Sequence, residues 1–527
     1  MIQNASFQRK IMYMAMIALL LIPLYTIGNP ATGDPTDADS TPGGRLAQLR
    51  TEYDLSQAEL GQIDPTSESM KLATLGLRGV AANILWTKAN KYKRLENWEA
   101  LIAVVNQMAK LQPNFISVWE FQSHNLSYNV SVEHDDYRFR YQWVKKGIDF
   151  LIEGTRYNRR EPKLFWSAGW FTGQKFGNSD EKQQFRVLFA DDTDFHESLS
   201  NHLPISSVEA TGPNGKPDSW LVSKLWYGRA YDIVDTQGIP LRGRAPHIFF
   251  VDGPKAQMNF ATAIEGEGYL NERAEIAWRI GGVELDEYSR RLFPTSWGEY
   301  IRLAEEEQKL VEAAELTKEL DELVPGAREE IYKEKFARLT PSRQKLIEDN
   351  TYSDDEYTEF MIAKYETQVY HREIAERAPR EIRAKAFRLA DRAAAAGVTA
   401  DRIDRYRENV NFEYWRTRCA VEQLAETVQA RSHMYAANKR MDEVLLDEAR
   451  VEFESAWEKW ASIFEEYPEL VQQQMSSDLI DEIERYSELL AQLDEEIPED
   501  FPLQKLIEFQ TEQDWEMDPE TELRSGE

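Results

Sequence analysis

The chain has a single cysteine, Cys419, among 527 residues. It can form no internal disulfide, and four-cysteine zinc sites, cysteine-ligated iron–sulfur clusters and c-type haem attachment are excluded. The surrounding "EYWRTRCAVEQL" has helical spacing, so the thiol is expected as a small buried hydrophobe rather than a nucleophile. Basic charge is also scarce: 62 Lys and Arg against 92 Asp and Glu give a net charge of −30. Phosphate contacts need clustered cations, so nucleic acid is not an expected partner.

Catalytic signatures are missing as well. Pro217 follows Lys216 in "GPNGKPDS" where a phosphate loop needs Ser or Thr, "EGEGYLN" lacks a third glycine and a preceding strand, and no G-x-S-x-G elbow occurs. With 92 carboxylates, neighbouring acids in sequence nominate no glycosidase pair. No catalysis and no cofactor are expected. Strand-like alternation is nearly absent, the best strand candidate being "HIFFVDG", residues 247–253.

What is present is aromatic mass and helical periodicity. Fourteen Trp, 23 Tyr and 23 Phe supply ample core material, and the length implies two or three domains or one extended array. The N-terminus places Arg9 and Lys10 before "IMYMAMIALLLIPLYTI", residues 11–27, an uncharged run at the short limit for a spanning helix. It is read as a signal anchor, with residues 1–10 cytoplasmic and the rest extracytoplasmic. A cleaved signal peptide cut after Gly28 is the alternative. Residues 28–45, rich in Gly, Pro and Asp, read as a flexible linker.

From Arg45 onward apolar residues recur at three and four positions, predicting an all-α fold. In residues 82–115, Leu85, Ala89 and Tyr92 share one face of a first helix and Leu101, Val105 and Met108 share one face of a second, with Pro113 ending the unit. Trp119 then opens another helix with Ser123 four residues on, and its partner carries Gly147, Leu151 and Gly154. A third unit opens at Pro162 with Trp166 and Gly169. Small, large, small spacings recur at Ala274, Trp278 and Gly281 and at Ala449, Phe453 and Ala456. Two small residues on one face let a neighbouring helix approach while the large one fills the space between.

These units resemble tetratricopeptide repeats, antiparallel helix pairs of about 34 residues. The resemblance implies degenerate hairpins forming an α-solenoid over residues 46–300, interrupted by an irregular insertion at about 178–260. Departures are the larger Leu101 and Met108 where the family has small residues, and insertions such as "VSVEHDDYRFR" between units. The stretches "GLRGVAANILW", "LQPNFISVWEFQSHNLSYNVSVE" and "FPTSWGEYIRL" also give the chain a general likeness to exported helical proteins of planctomycete bacteria, which implies an address and a repeat fold but no activity.

Residues 301–500 differ in texture. Charge-laced helices such as "EEEQKLVEAAELTKELDELV" suit long exposed helices, Gly326, Pro341 and Pro379 mark helix ends, and residues 501–527 form an acidic tail in which "FPLQKLIEF" can dock as a short helix. The remaining chemistry candidates lie in "DDTDFHE", where Asp191, Asp192, Asp194, His196 and Glu197 offer donors for a hard cation but lack the glycine turn of an EF-hand loop. "VEHDDY" around His134 is a similar cluster. His196 and His202 stand six apart, not the four a zinc-protease helix needs. The expected function is that of a membrane-tethered scaffold binding protein partners in a groove; the alternative is an enzyme or metal-dependent site near Asp191 to His202.

Overall fold

In a computed structural model of the chain, residues 5–28, 43–52, 78–468, 470, 477–498 and 500–509 are described. The linker at 29–42 and the tail from 510 onward lie outside them. The chain divides into two compact units, residues 1–245 with 252–277, and residues 246–251 with 278–527. Structure is almost wholly helical, as the periodicity predicts. The only paired strands among the described residues are Phe293–Pro294 and Tyr300–Ile301, antiparallel across a turn at Gly298.

The apolar N-terminal run lies in α1 (Ala5–Gly28), which contains Pro23. Among the described residues no helix is long and apolar enough to cross a membrane, and several side chains of α1 are not among those described. A short helix, α2 (Arg45–Glu52), follows.

The first unit then continues with α3 (Arg78–Arg94) and α4 (Trp98–Leu111), which pack together as a hairpin. The turn between them uses Glu96 at φ 52, and the Asn97 carboxamide caps α4 by accepting from the Ala100 amide at 3.1 Å. Ala89, Leu101, Val105 and Met108 are fully buried in this pair, with Leu85 and Tyr92 half-buried. Next come α5 (Ile116–His124), running without a break into a π-helical turn at Asn125–Val130, and α6 (Tyr137–Tyr157) packed against it. The glycines of α6 make that packing close. A Cβ on Gly154 would stand 2.7 Å from the Trp119 ring, and one on Gly147 would collide with Ser127. Trp119 is anchored further, its Nε1 donating to the Pro113 carbonyl at 2.7 Å, which Asn158 Nδ2 also reaches at 2.9 Å. Leu151 lies in the same core.

Four more helices build on this: α7 (Pro162–Gly177), α8 (Lys182–Asp191), α9 (Thr193–Ser200) and α10 (Ser219–Gln237). α7 presents Gly169, Gly173 and Gly177 in one stripe to α10, where Cβ atoms at the last two would lie within 2.6 Å of the Trp220 ring. After α11 (Pro246–Phe250), which belongs to the second unit, α12 (Asp252–Gly266) packs on α10. Arg186 of α8 joins these elements from a buried position, bonding Asp218 at 2.7 Å and Glu267 at 2.6 Å.

Two expectations are corrected here. The stretch read as an irregular insertion is largely helical, its longest irregular segments being 201–218, which holds one short turn of helix, and 238–245. Asp218 starts α10 by accepting from the amides of Trp220 and Leu221, and Gly238 at φ 62 ends it. "HIFFVDG" is helical, not a strand. Pro246 opens the turn, and a short buried apolar run has no periodicity that separates strand from helix.

The boundary between the units falls within α13 (Glu272–Ser289), after Ala277. In the second unit α14 (Glu306–Leu323), α15 (Ala327–Phe336), α16 (Pro341–Asp349), α17 (Asp354–Thr367), α18 (His371–Glu376) and α19 (Arg383–Glu408) follow. The charge-laced α14 and α19 pack on each other through Leu316, Leu320, Ala386, Leu389, Ala390 and Ala393. Last come α20 (Phe412–Glu422), α21 (Ala425–Asp442), α22 (Leu446–Glu466) and α23 (Ser477–Gln492). Ala449, Phe453 and Ala456 of α22 are fully buried in one core with Ala430, Met434 and Ala437 of α21, Tyr486 of α23, and Phe501, Leu503 and Leu506 of the terminal segment.

Candidate functional site

Two runs of aromatic side chains lie along α3, α5 with its π turn, α7 and α10. Trp86 meets Phe121 at 5.2 Å; His124 stacks on Tyr128 at 4.6 Å; Tyr128 meets Trp170 at 6.1 Å; Trp166 lies 6.4 Å from Trp170 and 6.0 Å from Tyr227, which stacks on Tyr231. Three cations sit on these rings: Lys93 over Phe121 at 5.3 Å, Lys175 over Tyr128 at 4.0 Å and Arg244 over Trp166 at 3.5 Å. The ring quadrupole attracts a cation to its face, so each pair fixes a positive charge beside apolar surface. Trp166 and Tyr227 are buried, and the Trp166 Nε1 donates to Asp252 at 2.8 Å. Trp86, Phe121, Tyr128, Trp170 and Tyr231 keep part of their surface open, and His124 is exposed.

The backbone that carries this face is specialised. The π turn directly follows His124 and contains Tyr128, and the hydroxyl of Ser131, just past its end, donates to the Ser127 carbonyl within it at 2.7 Å. Sequence reasoning singled out Trp119 and Trp166 as packing residues and passed over Trp86, Tyr128 and Trp170. The available signal was the i, i+4 spacing of aromatic rings at His124/Tyr128 and Trp166/Trp170 in successive helices.

The proposed cation ligands are dispersed. Asp191 pairs with Lys216, Asp194 and Glu197 are exposed, and the His196 ring is buried edge-to-face with Phe189 at 5.1 Å. Burial holds the His196 pKa below its ordinary value, which keeps the ring neutral. Asp192, the remaining candidate, instead organises this corner. It caps α9 through the Phe195 amide at 3.0 Å and accepts from Lys145 at 2.8 Å and from the Tyr141 hydroxyl at 3.0 Å. Partial burial opposes its ionisation, but the Lys145 bond and the amide outweigh that and hold its carboxyl below the usual range. His134 stacks on Trp143 at 5.8 Å. Among the described residues no three His, Cys, Asp or Glu side chains are grouped to hold a metal ion.

Beside this corner α6, α9 and α10 leave a cleft of about 1240 Å³, whose lining includes Asp149, Arg156, Phe165, His202, Arg229 and Asp232. Burial and the charges of Arg156 and Arg229 push the His202 pKa down. Burial pushes the Asp149 carboxyl up to about 6, against the pull of Lys145. In the second unit Cys419 is buried, and desolvation pushes its thiol up to about 12, which leaves almost no thiolate at neutral pH.

The sequence matches no protein-family model, and no curated protein is similar to it.

Proposed function

We propose that this protein is a membrane-tethered, extracytoplasmic scaffold of the tetratricopeptide type, in which degenerate helix pairs form an α-solenoid and bind protein partners on the aromatic face of the first unit. The observation that carries this reading is the placement of the open rings. Trp86, Phe121, Tyr128 and Trp170 come from the first helices of consecutive pairs, so one surface crosses several units. Stacked pairs generate such surfaces without catalytic machinery. Aromatic anchors flanked by fixed cations suit a segment that combines apolar and acidic side chains. Arg9 and Lys10 before the apolar residues 11–27 support an anchor with the remainder exported.

The test is partner capture from detergent-solubilised native membranes with the full-length protein, beside a Tyr128→Ala/Trp170→Ala variant and a Tyr365→Ala control in the second unit. The scaffold reading expects one reproducible set of proteins with wild type and control, lost with the double variant. Equal recovery from all three refutes the placement of the interface. The alternative, an enzyme or metal-dependent binding protein with a site near Asp191 to His202, draws on the cleft beside His202.

A further inference from the structure

His247 of α11 is 4% exposed, and among the described residues neither its Nδ1 nor its Nε2 has a hydrogen-bond partner. A neutral imidazole carries one donor and one acceptor, both satisfied in water, so this burial gives up two hydrogen bonds and regains none. The seat is apolar and close. The Tyr406 ring of α19 lies 4.2 Å from the imidazole, Phe249 and Phe250 meet edge to face at 5.0 Å, and the strand Phe293–Pro294 packs alongside. The polar groups nearby are directed elsewhere. From α13 the Tyr288 hydroxyl donates to the His247 carbonyl at 2.8 Å, and just past that helix Arg291 lies over the Phe250 ring at 3.6 Å. Arg402 and Arg407 of α19, which flank Tyr406 in sequence, are held by Glu299 and by Glu306 with Glu413. The strand and the rest of α11 bring no titratable side chain. Burial alone holds the His247 pKa below its ordinary value.

The place of α11 in the chain gives this weakness a consequence. Residues 246–251 belong to the second unit, while the chain up to 245 and again from 252 belongs to the first. α11 is therefore a strap lent by one unit to the other, and the irregular segment 238–245 before it carries Gly238 and Gly243 at φ 62 and 76. We propose that α11 is an acid-released strap, in which protonation of His247 drives residues 246–251 out of their seat in the second unit. The imidazolium would hold two donors and a full charge where neither nitrogen has an acceptor, and the face of Tyr406 returns only part of the hydration lost. Outside the seat both N–H groups find water, so release is what protonation favours. Because the folded pKa lies below the ordinary 6.5, the contribution of His247 to seating is complete above 6.5 and is lost as pH falls toward the folded value. Within that range each pH unit raises the opening constant by about tenfold. This inference is independent of the scaffold reading.

The experiment is amide hydrogen exchange of the full-length protein between pH 7.5 and pH 5, read by mass spectrometry as protection factors so that the intrinsic pH dependence of exchange is removed. Peptides covering residues 246–251 are compared with peptides from α22, whose core lies elsewhere in the second unit. In wild type the protection of 246–251 should fall by about tenfold or more as the pH is lowered, while that of α22 stays constant. His247→Phe fills the seat with a ring that cannot be protonated, and His247→Leu does the same with a smaller side chain; in each the protection of 246–251 should be independent of pH. His371→Gln, which removes another part-buried imidazole of the same unit, should keep the wild-type response. The wild-type comparison needs no variant to fold. Constant protection of 246–251 in wild type, an equal loss in α22, a pH response that survives in the His247 variants, or one that disappears in His371→Gln overturns the proposal.

Discussion

The two units solve the same packing problem with different side chains. In the first, glycines let helices press on large rings, as Gly154 does on Trp119 and Gly173 and Gly177 on Trp220, and cations lie on the aromatic faces left open. In the second, α14 and α19 meet through Leu and Ala, Trp457 and Trp460 are buried in a separate core, and the exposed rings, Trp297 and Tyr365 among them, stand beside ion pairs such as Arg343 with Glu359 and Arg377 with Glu334. The lesson is about surfaces. Charge-covered helices need no partner, whereas part-open rings that cross several helices form a patch suited to binding.

The comparison can be broken most strongly at Arg186. It is buried between Asp218 and Glu267 in the first unit, so Arg186→Ala leaves an unpaired carboxylate inside and should cost about 3–5 kcal/mol in denaturant unfolding. Arg450→Ala in the second unit, where the ion pairs with Glu454 and Glu495 are exposed, should cost less than about 1 kcal/mol. Equal losses would erase the distinction between buried and surface ion pairing in the two units. The next contrast lies in the glycines. Gly173→Val forces a branched side chain against Trp220 and should destabilise by about 1–3 kcal/mol. Gly397 of α19 has open space around a Cβ, so Gly397→Ala should stabilise by about 0.5–1 kcal/mol.

A smaller effect concerns acid. Asp149 binds its proton more tightly in the folded protein, about 6 against an ordinary 3.8, so its contribution to stability is full below the unfolded value and is lost as pH rises through 6. Asp149→Asn should remove that part of the pH dependence between pH 4 and 6, by less than about 1 kcal/mol because the carboxylate opens onto the cleft. An unchanged pH profile would place Asp149 in a more watery setting. Smallest of all, Cys419 should stay unmodified by thiol reagents in the native protein and react only on unfolding; rapid native labelling would contradict its burial.

Much of the architecture was legible where helices bury a single stripe. α4, with buried Leu101, Val104, Val105 and Met108, and α22, with Phe453, Trp457 and Trp460, show the period plainly. α10 was hidden for the opposite reason. It buries Trp220, Leu221, Val222 and Ser223 in succession, so its apolar residues mark no single face. The unit boundary inside α13 leaves no trace, since no breaker stands at Ala277. The cleft was half visible: His202 drew notice as a possible ligand, but nothing in the sequence links it to Arg156 and Arg229, which folding brings in from two other helices.

The most direct test of the scaffold account is site-specific photocrosslinking in native membranes, with the reactive side chain placed at position 128 or 170 and, as comparison, at the exposed positions 365 and 451 of the second unit. The account predicts one protein partner crosslinked from 128 and 170 and absent from 365 and 451. Crosslinks from 365 or 451 with none from 128 and 170 would contradict it and move the binding surface to the second unit.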